Sequence, residues 1–207
     1  MSSSRNYSDA EYRVVETARR MMGANLSDFL LSGLGEPSHP SSRSFKAERT
    51  EGGEEVTYLL KIVSDSDLGL PAGKDPLVMA AVLSLISERN DYGDDLALNT
   101  GSMTEALAWP ASQTSRLTVE QAVERYCSAA YYMAMGAGHE PVSPGGEYPH
   151  YSRLLAGYDI EREESAGLPT VESSSITVKF IPGFLRGIST ERKFFLGVDF
   201  ERLKKIR

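Results

Sequence analysis

Residues 77–83 read Leu-Val-Met-Ala-Ala-Val-Leu, apolar without a break, and the helix they belong to limits what this chain can fold into more than any other feature. Asp75 stands where an N-cap belongs, and Pro76 follows at the first helical position, where its missing N–H costs nothing. The helical pattern continues to Glu88. A helix apolar on most sides has no face to offer water, so it must lie at the centre of a core that other elements wrap. It is too short to cross a bilayer, which takes about 20 apolar residues.

Helical spacing of Tyr12, Val15, Ala18 and Met22 predicts a first helix over residues 9–23, capped by Asp9 and ended by Gly23. A second short helix is expected over 26–31, and the Gly/Pro/Ser-rich residues 32–44 read as a linker. Residues 44–64 read as a β-hairpin turning at Thr50-Glu51-Gly52-Gly53, with Val56, Tyr58, Leu60 and Ile62 alternating along its second arm. Gly69-Leu70-Pro71 then breaks the strand ahead of the central helix. Ser102 to Glu105 forms a capping box opening a short helix through Ala108, which Trp109-Pro110 stops. After a five-residue turn, a second capping box, Thr118 to Gln121, opens a longer helix. One face of it carries Val119, Ala122, Val123, Tyr126, Ala130, Met133 and Ala134, and it ends at Gly136 or Gly138.

Residues 136–149 read as loop, 154–163 and 175–181 as two strands joined by a long polar tip, and 200–206 as a short basic helix behind alternating Phe194, Leu196 and Val198. Two helices joined by a turn, the longer one second, follow the helix-turn-helix plan, and the appended strand pair makes it winged. The expected architecture is therefore α+β: a helical extension and linker over 1–43, then a winged-helix domain over 44–207 that begins with the β-hairpin.

The 207 residues suit one domain, or one with an extension, and supply a core that needs neither disulfide nor metal. Cys127 is the only cysteine; it sits in an apolar helical run, where core packing is the expected role, and a lone thiol suits a reducing cytosol. Residues 1–7 are polar and Ser-rich, with no secretory signal, so a cytoplasmic protein is expected. His39, His139 and His150 lie in predicted loops without a second ligand at metal spacing. Gly69 to Lys74 lacks the phosphate-loop spacing and has Asp75 where Ser or Thr would bind magnesium. No nucleophile elbow is present, and Asp94-Asp95 and Glu161, Glu163, Glu164 read as solvated acidic clusters. No cofactor, metal, membrane or small-molecule substrate is expected, nor an enzyme.

The stretch from Gly69 to Leu85 resembles the opening of the N-terminal winged helix in bacterial plasmid replication initiators of the replication initiator protein A type, in which a G-x-P-x-x-x-D element precedes an apolar helix. Residues 103–112 resemble that family's short second helix, with Leu107-Ala-Trp-Pro here where Leu-Gly-Trp-Pro is usual. Residues 175–207 are similar to its later strand and tail through Phe184, Gly187, Ile188, Leu196, Asp199 and Leu203. The resemblance runs from roughly Tyr58 to the end. It implies a winged-helix protein that binds double-stranded origin or operator DNA, with homodimers as a further expectation. Such initiators continue into a second winged helix past the point where this sequence stops, which implies an N-terminal-domain-only, truncated or divergent member. In the family the first winged helix serves dimerisation and supporting DNA contact.

Net charge is −7, against a generic nucleic-acid binder, but residues 174–207 alone carry +5 and the rest −12. The expected DNA contacts are Lys179, Arg186, Arg192, Lys193, Arg202, Lys204, Lys205 and Arg207 near the end, with Arg116, Gln121 and Arg125 around the second helix. With the helix starting at Thr118, its outward residues are Glu120, Gln121, Glu124, Arg125 and Ser128. Two carboxylates would repel phosphates there. That leaves two readings of the chain: an origin- or operator-binding protein, or a dimerisation or protein-interaction module on the same fold.

Overall fold

The computed structural model describes residues 8–22, 31–51, 54–64, 67–137, 150–162, 174–182 and 184–185. At its centre lies α2, Asp75–Arg89, in which every residue from Asp75 to Ile86 is buried. An element with no wet face needs neighbours on every side. One is α1 (Asp9–Met22), whose Val14, Val15 and Ala18 join the same core as Leu77, Met79 and Leu83. On α2 also pack α3 (Thr100–Ala106) and α4 (Gln113–Ser128), the latter through Val119, Ala122, Val123 and Tyr126.

Two antiparallel sheets complete the α+β, winged-helix-like fold. The first has the order β1-β2-β4-β5: β1 (Ser42–Glu51), β2 (Glu54–Ser64), β4 (Ala129–Ala137) and β5 (His150–Arg153). The predicted hairpin is its β1–β2 pair, with Glu51 opposite Glu54; Gly52 and Gly53 lie outside the described residues. The second sheet, ordered β3-β7-β6, joins β3 (Asp95–Asn99) to the predicted strand pair, β6 (Leu155–Arg162) and β7 (Ser174–Phe180). β7 alternates cleanly, with Ser174, Ile176, Val178 and Phe180 inward.

The largest difference from expectation lies in the second helix of the pair. Ser112, not Thr118, caps it: Ser115 N donates to Ser112 Oγ at 3.2 Å. The expected turn is therefore mostly helix. At its other end the chain leaves the helix at Ala129 and runs as β4, paired with β2 from Ser64↔Ala129 to Val56↔Ala137. In the nearly all-apolar run Ala-Ala-Tyr-Tyr-Met-Ala-Met, helical and alternating spacings fit equally well, and the ladder offered by β2 decides between them. The buried face at Val119, Ala122, Val123 and Tyr126 is as expected, whereas Ala130, Met133 and Ala134 belong to the strand.

Caps shift elsewhere as well. Ser8 and Glu11 form a capping box on α1, with Ser8 N donating to Glu11 Oε2 at 2.9 Å, so Asp9 is already helical. Asn99 caps α3 by accepting from Gly101 N at 2.6 Å. Asp75 is the first residue of α2 rather than its cap. The stretch read as a linker is laced down: Gly35 N donates to Gly73 O at 2.8 Å, Gly73 N to Gly33 O at 3.0 Å, and Leu34 bridges to Gly73. At Gly33 an added Cβ would meet Pro71 O at 2.1 Å, so only glycine permits this approach. The short helix expected over 26–31 falls on residues outside the described set except for buried Leu31, which lies in a turn.

Both α2 and α3 end in Schellman motifs. At α2 the left-handed residue is Asn90 (φ 52°), with Asp91 N donating to Ile86 O and Asn90 N to Ser87 O. At α3 the same pattern, Trp109 N to Thr104 O and Ala108 N to Glu105 O, forces Ala108 to φ 51°. Asparagine tolerates that conformation and alanine resists it, so this is where a Leu-Gly-Trp-Pro version of the turn would be relaxed. Ala108→Gly is expected to raise stability by about 0.5 kcal/mol, the relieved strain less the added freedom of the unfolded chain. In urea unfolding the midpoint should move up; a midpoint lowered as for an ordinary Ala→Gly change in a helix would contradict this account of the turn.

Candidate nucleic-acid interface

Everything at the helix pair is referenced to the loop before α2. Arg125, on α4, donates from Nη1 to both carboxylate oxygens of Asp75 at 3.1 Å and from Nε to Leu68 O at 3.2 Å. Ala72 N donates to Asp75 Oδ2 at 3.1 Å, and His39 Nδ1 donates to Leu70 O at 3.0 Å while lying 3.5 Å from the same carboxylate. The two side chains are 4% and 12% exposed, so the pair is dry. Burial pushes the Asp75 carboxyl above the usual aspartate range, against the Ala72 amide and the Arg125 charge, which pull it down. The G-x-P-x-x-x-D element is thus a lock that fixes the start of α2 to α4.

A second buried polar contact ties α4 to the wing. Glu120 is only 5% exposed. Ser174 Oγ, at the start of β7, donates to Glu120 Oε1 at 2.9 Å, and Ser174 N donates to Thr100 Oγ1, at the start of α3, at 3.3 Å. One serine therefore touches both helices of the pair.

These two contacts decide which face of α4 meets solvent. Glu120 and Arg125, expected to point outward, point inward. The exposed residues are Gln113, Thr114, Leu117 and Gln121, with Arg116 half-buried beside them and Glu124 half-buried a turn further on. The first two turns and more of the outer face carry no carboxylate. A helix starting at Thr118 leaves Gln113, Thr114 and Leu117 in a turn rather than on its face; the Ser112-x-x-Ser115 cap is the sequence signal that places them there.

The remaining expected contacts separate. Gln121 is exposed and Arg116 flanks the face. Arg125 is committed to Asp75 and is removed from the outer surface. Lys179 lies 2.5 Å from Asp159 and opposite Asp95 in the ladder, and the Asp159 carboxylate raises its pKa above that of a free lysine. Its charge is already matched within the sheet. Arg186, Arg192, Lys193, Arg202, Lys204, Lys205 and Arg207, with the alternating Phe194, Leu196 and Val198 and the expected terminal helix, lie outside the described residues, as does His139.

A cation not singled out by sequence, Lys74, stands exposed with Nζ 5.1 Å from the centroid of the Trp109 ring, at the turn between α3 and α4. Trp109 Nε1 in turn donates to Glu11 Oε1 at 2.9 Å, fastening α1 to that turn. Cys127 is half-buried, and burial pushes its thiol up to about 12, far from a nucleophile's range. Among the described residues no group of three His, Cys, Asp or Glu is arranged to hold a metal ion, and no helix is long and apolar enough to cross a membrane.

The arrangement defines an α+β chain with a winged-helix-like helix pair whose second helix presents Gln113, Thr114, Leu117 and Gln121, flanked by half-buried Arg116 and Glu124. No family model and no curated protein sequence matches the chain. Among solved structures it is similar to the selenomethionine form of domains 2 and 3 of RctB, with a TM-score of 0.56, 14% identity, and coverage of 90% of this chain and 65% of that one. A second crystal structure of RctB domains 2-3 gives the same TM-score and identity over 82% of this chain and 61% of the other. The chain therefore spans less than two thirds of the structures it matches, and at this identity the likeness is one of fold.

Arg125→Met leaves the Asp75 carboxylate buried without its cation, a change that costs about 3 kcal/mol. The orphaned carboxyl holds its proton more tightly in the folded state than in the unfolded one, so the deficit against wild type should shrink as pH falls through its folded pKa. Replacing both partners, as Asp75→Leu with Arg125→Met, should recover part of the loss. Denaturant unfolding at neutral and acid pH reads all three; a pH-independent deficit would remove the lock from the account.

Proposed function

We propose that this chain is a DNA-binding protein of the replication-initiator type, of the kind found on plasmids, which acts at origin or operator DNA without performing chemistry and without metal or cofactor. The observation that carries the reading is the inward turn of Glu120. With that carboxylate on Ser174, the N-terminal half of α4 offers Gln113, Thr114, Leu117 and Gln121 to a partner, the residue types that meet base edges from a recognition helix in the major groove. Lys74 and Arg116 stand beside this face as candidates for phosphate contact, and the cations from Arg186 onward would add to them.

The fold shared with domains of RctB, a replication initiator, supports the same reading. So does the order of the G-x-P-x-x-x-D element, the apolar helix and the Leu-Ala-Trp-Pro turn, of which the first two pack against the helix pair and the third joins it. The alternative of a dimerisation or protein-interaction module drew its argument from two glutamates on the outer face of α4, and with Glu120 buried only the half-buried Glu124 remains to carry it.

Fluorescence anisotropy with a mixed-sequence duplex at low salt should show binding whose constant falls steeply as salt rises, by a log–log slope of about −0.9 for each phosphate neutralised. Gln121→Glu, which sets a carboxylate on the exposed face without touching the core, should weaken binding at least about tenfold with an unchanged thermal midpoint. Absence of binding into the high micromolar range, or a Gln121→Glu protein that binds as wild type does, would defeat the proposal.

A further inference from the structure

We infer that the duplex is read at A·T pairs in the major groove, with Leu117 set against a thymine methyl and the carboxamide of Gln121 on adenine. This rests on the DNA-binding reading above and adds the class of sequence recognised.

Among the residues whose side chains are described, the large exposed hydrophobics are Tyr12 on α1 and Leu117, at 39%, on α4. A single exposed leucine is ordinary by itself. Its neighbours give this one meaning. Gln113 stands four residues before it and Gln121 four residues after, so the three share one face of α4, with exposed Thr114 alongside. From Gln113 to Gln121 the helix rises about 12 Å, enough to face three or four base steps.

The chemistry of that row selects one kind of base edge. Adenine offers N7 as acceptor and N6–H as donor, the complement of a carboxamide, and thymine offers the only methyl group in the groove. Cytosine N4–H is matched best by a carboxylate acceptor; Glu120 is turned onto Ser174, and Glu124 lies half-buried a turn beyond Gln121, past the Gln113–Leu117–Gln121 row. Leu117 placed over a G·C edge would strip water from O6 and N4 and return no hydrogen bond, a penalty absent at a thymine methyl. The inward Glu120 and outward Leu117 thus act in the same direction.

The test uses the full chain and a pool of duplexes randomised at their centre. Selection should enrich A·T steps. In a selected duplex, replacing thymine by uracil removes the C5-methyl and nothing else, and should weaken wild type about fourfold, the worth of one buried methyl-sized group. Leu117→Ala, at an exposed position, should keep its thermal midpoint, lose a similar factor on the thymine duplex, and bind thymine and uracil duplexes alike. Wild type that binds tightly but selects G·C steps or no sequence would overturn this inference and leave the DNA-binding reading intact. Discrimination between thymine and uracil that persists in Leu117→Ala would overturn it as well. A chain that binds no member of the pool would overturn both.

Discussion

A carboxylate at the first residue of a helix buried from Asp75 to Ile86 sets the terms for the rest of this molecule. Asp75 cannot stay ionised without a cation and donors around it, and the fold supplies them from two separate places: the Ala72 amide within its own loop and Arg125 from the last turn of α4. The cost of leaving any of these unpaired forces α4 to one rotation about its axis and one height along α2. Hydrophobic packing alone would be more permissive, because Val119, Ala122 and Val123 are near-equivalent small apolar groups that could slide over α2 with modest loss. A buried ion pair whose guanidinium also donates from Nε to Leu68 O admits no such sliding.

The glycines of the preceding loop serve the same end. Gly69, at φ 73°, has His39 O at 2.4 Å from where a Cβ would stand, and Gly33 lies against Pro71 O. Residues 31–40 are thereby pressed onto the loop closely enough for His39 to reach both Leu70 O and the carboxylate. A composition rich in glycine, proline and serine signals an absence of regular structure, but it does not distinguish a free tether from a segment packed backbone to backbone.

This difference shows what could be read from the chain before its structure. The central helix, the hairpin, the buried face at Val119, Ala122, Val123 and Tyr126, and the β6–β7 pair were all legible, because each is written in an unambiguous spacing or a run too apolar for water. β3 was missed although Asp-Leu-Ala-Leu-Asn alternates in full; five residues beside an acidic loop carry little weight until β7 is there to receive them. The expected site suffered most. Its outer face depended on where α4 begins, and Thr118-Val-Glu-Gln imitates a capping box so well that the true cap, Ser112, six residues earlier, was passed over. A slip of that size leaves the apolar positions and Gln121 in place but keeps Gln113, Thr114 and Leu117 off the helix face, and no pattern of apolar residues can correct it. The inward direction of Glu120 and Arg125 is a tertiary fact, fixed by Ser174 and Asp75, which lie 54 and 50 residues away.

Those two inward charges also bear on how such a helix could work. Each removes a long, mobile, hydrated side chain from the outer surface and makes it part of the support. Arg125 fixes the helix to α2, and Glu120 fixes it to the first residue of β7, which through Ser174 N is also joined to Thr100 at the head of α3. Helix pair and wing are held as one piece by groups that would otherwise have to be ordered when a partner binds. A reading surface of glutamine, threonine and leucine makes weak contacts individually, worth about 1–3 kcal/mol for a well-made bidentate pair. Such contacts discriminate only if the scaffold does not shift to accommodate the wrong partner, because a helix free to roll would relax around each mismatch. On the DNA-binding reading proposed above, the buried charges of α4 would therefore serve its selectivity as much as the neutral residues on its outer face.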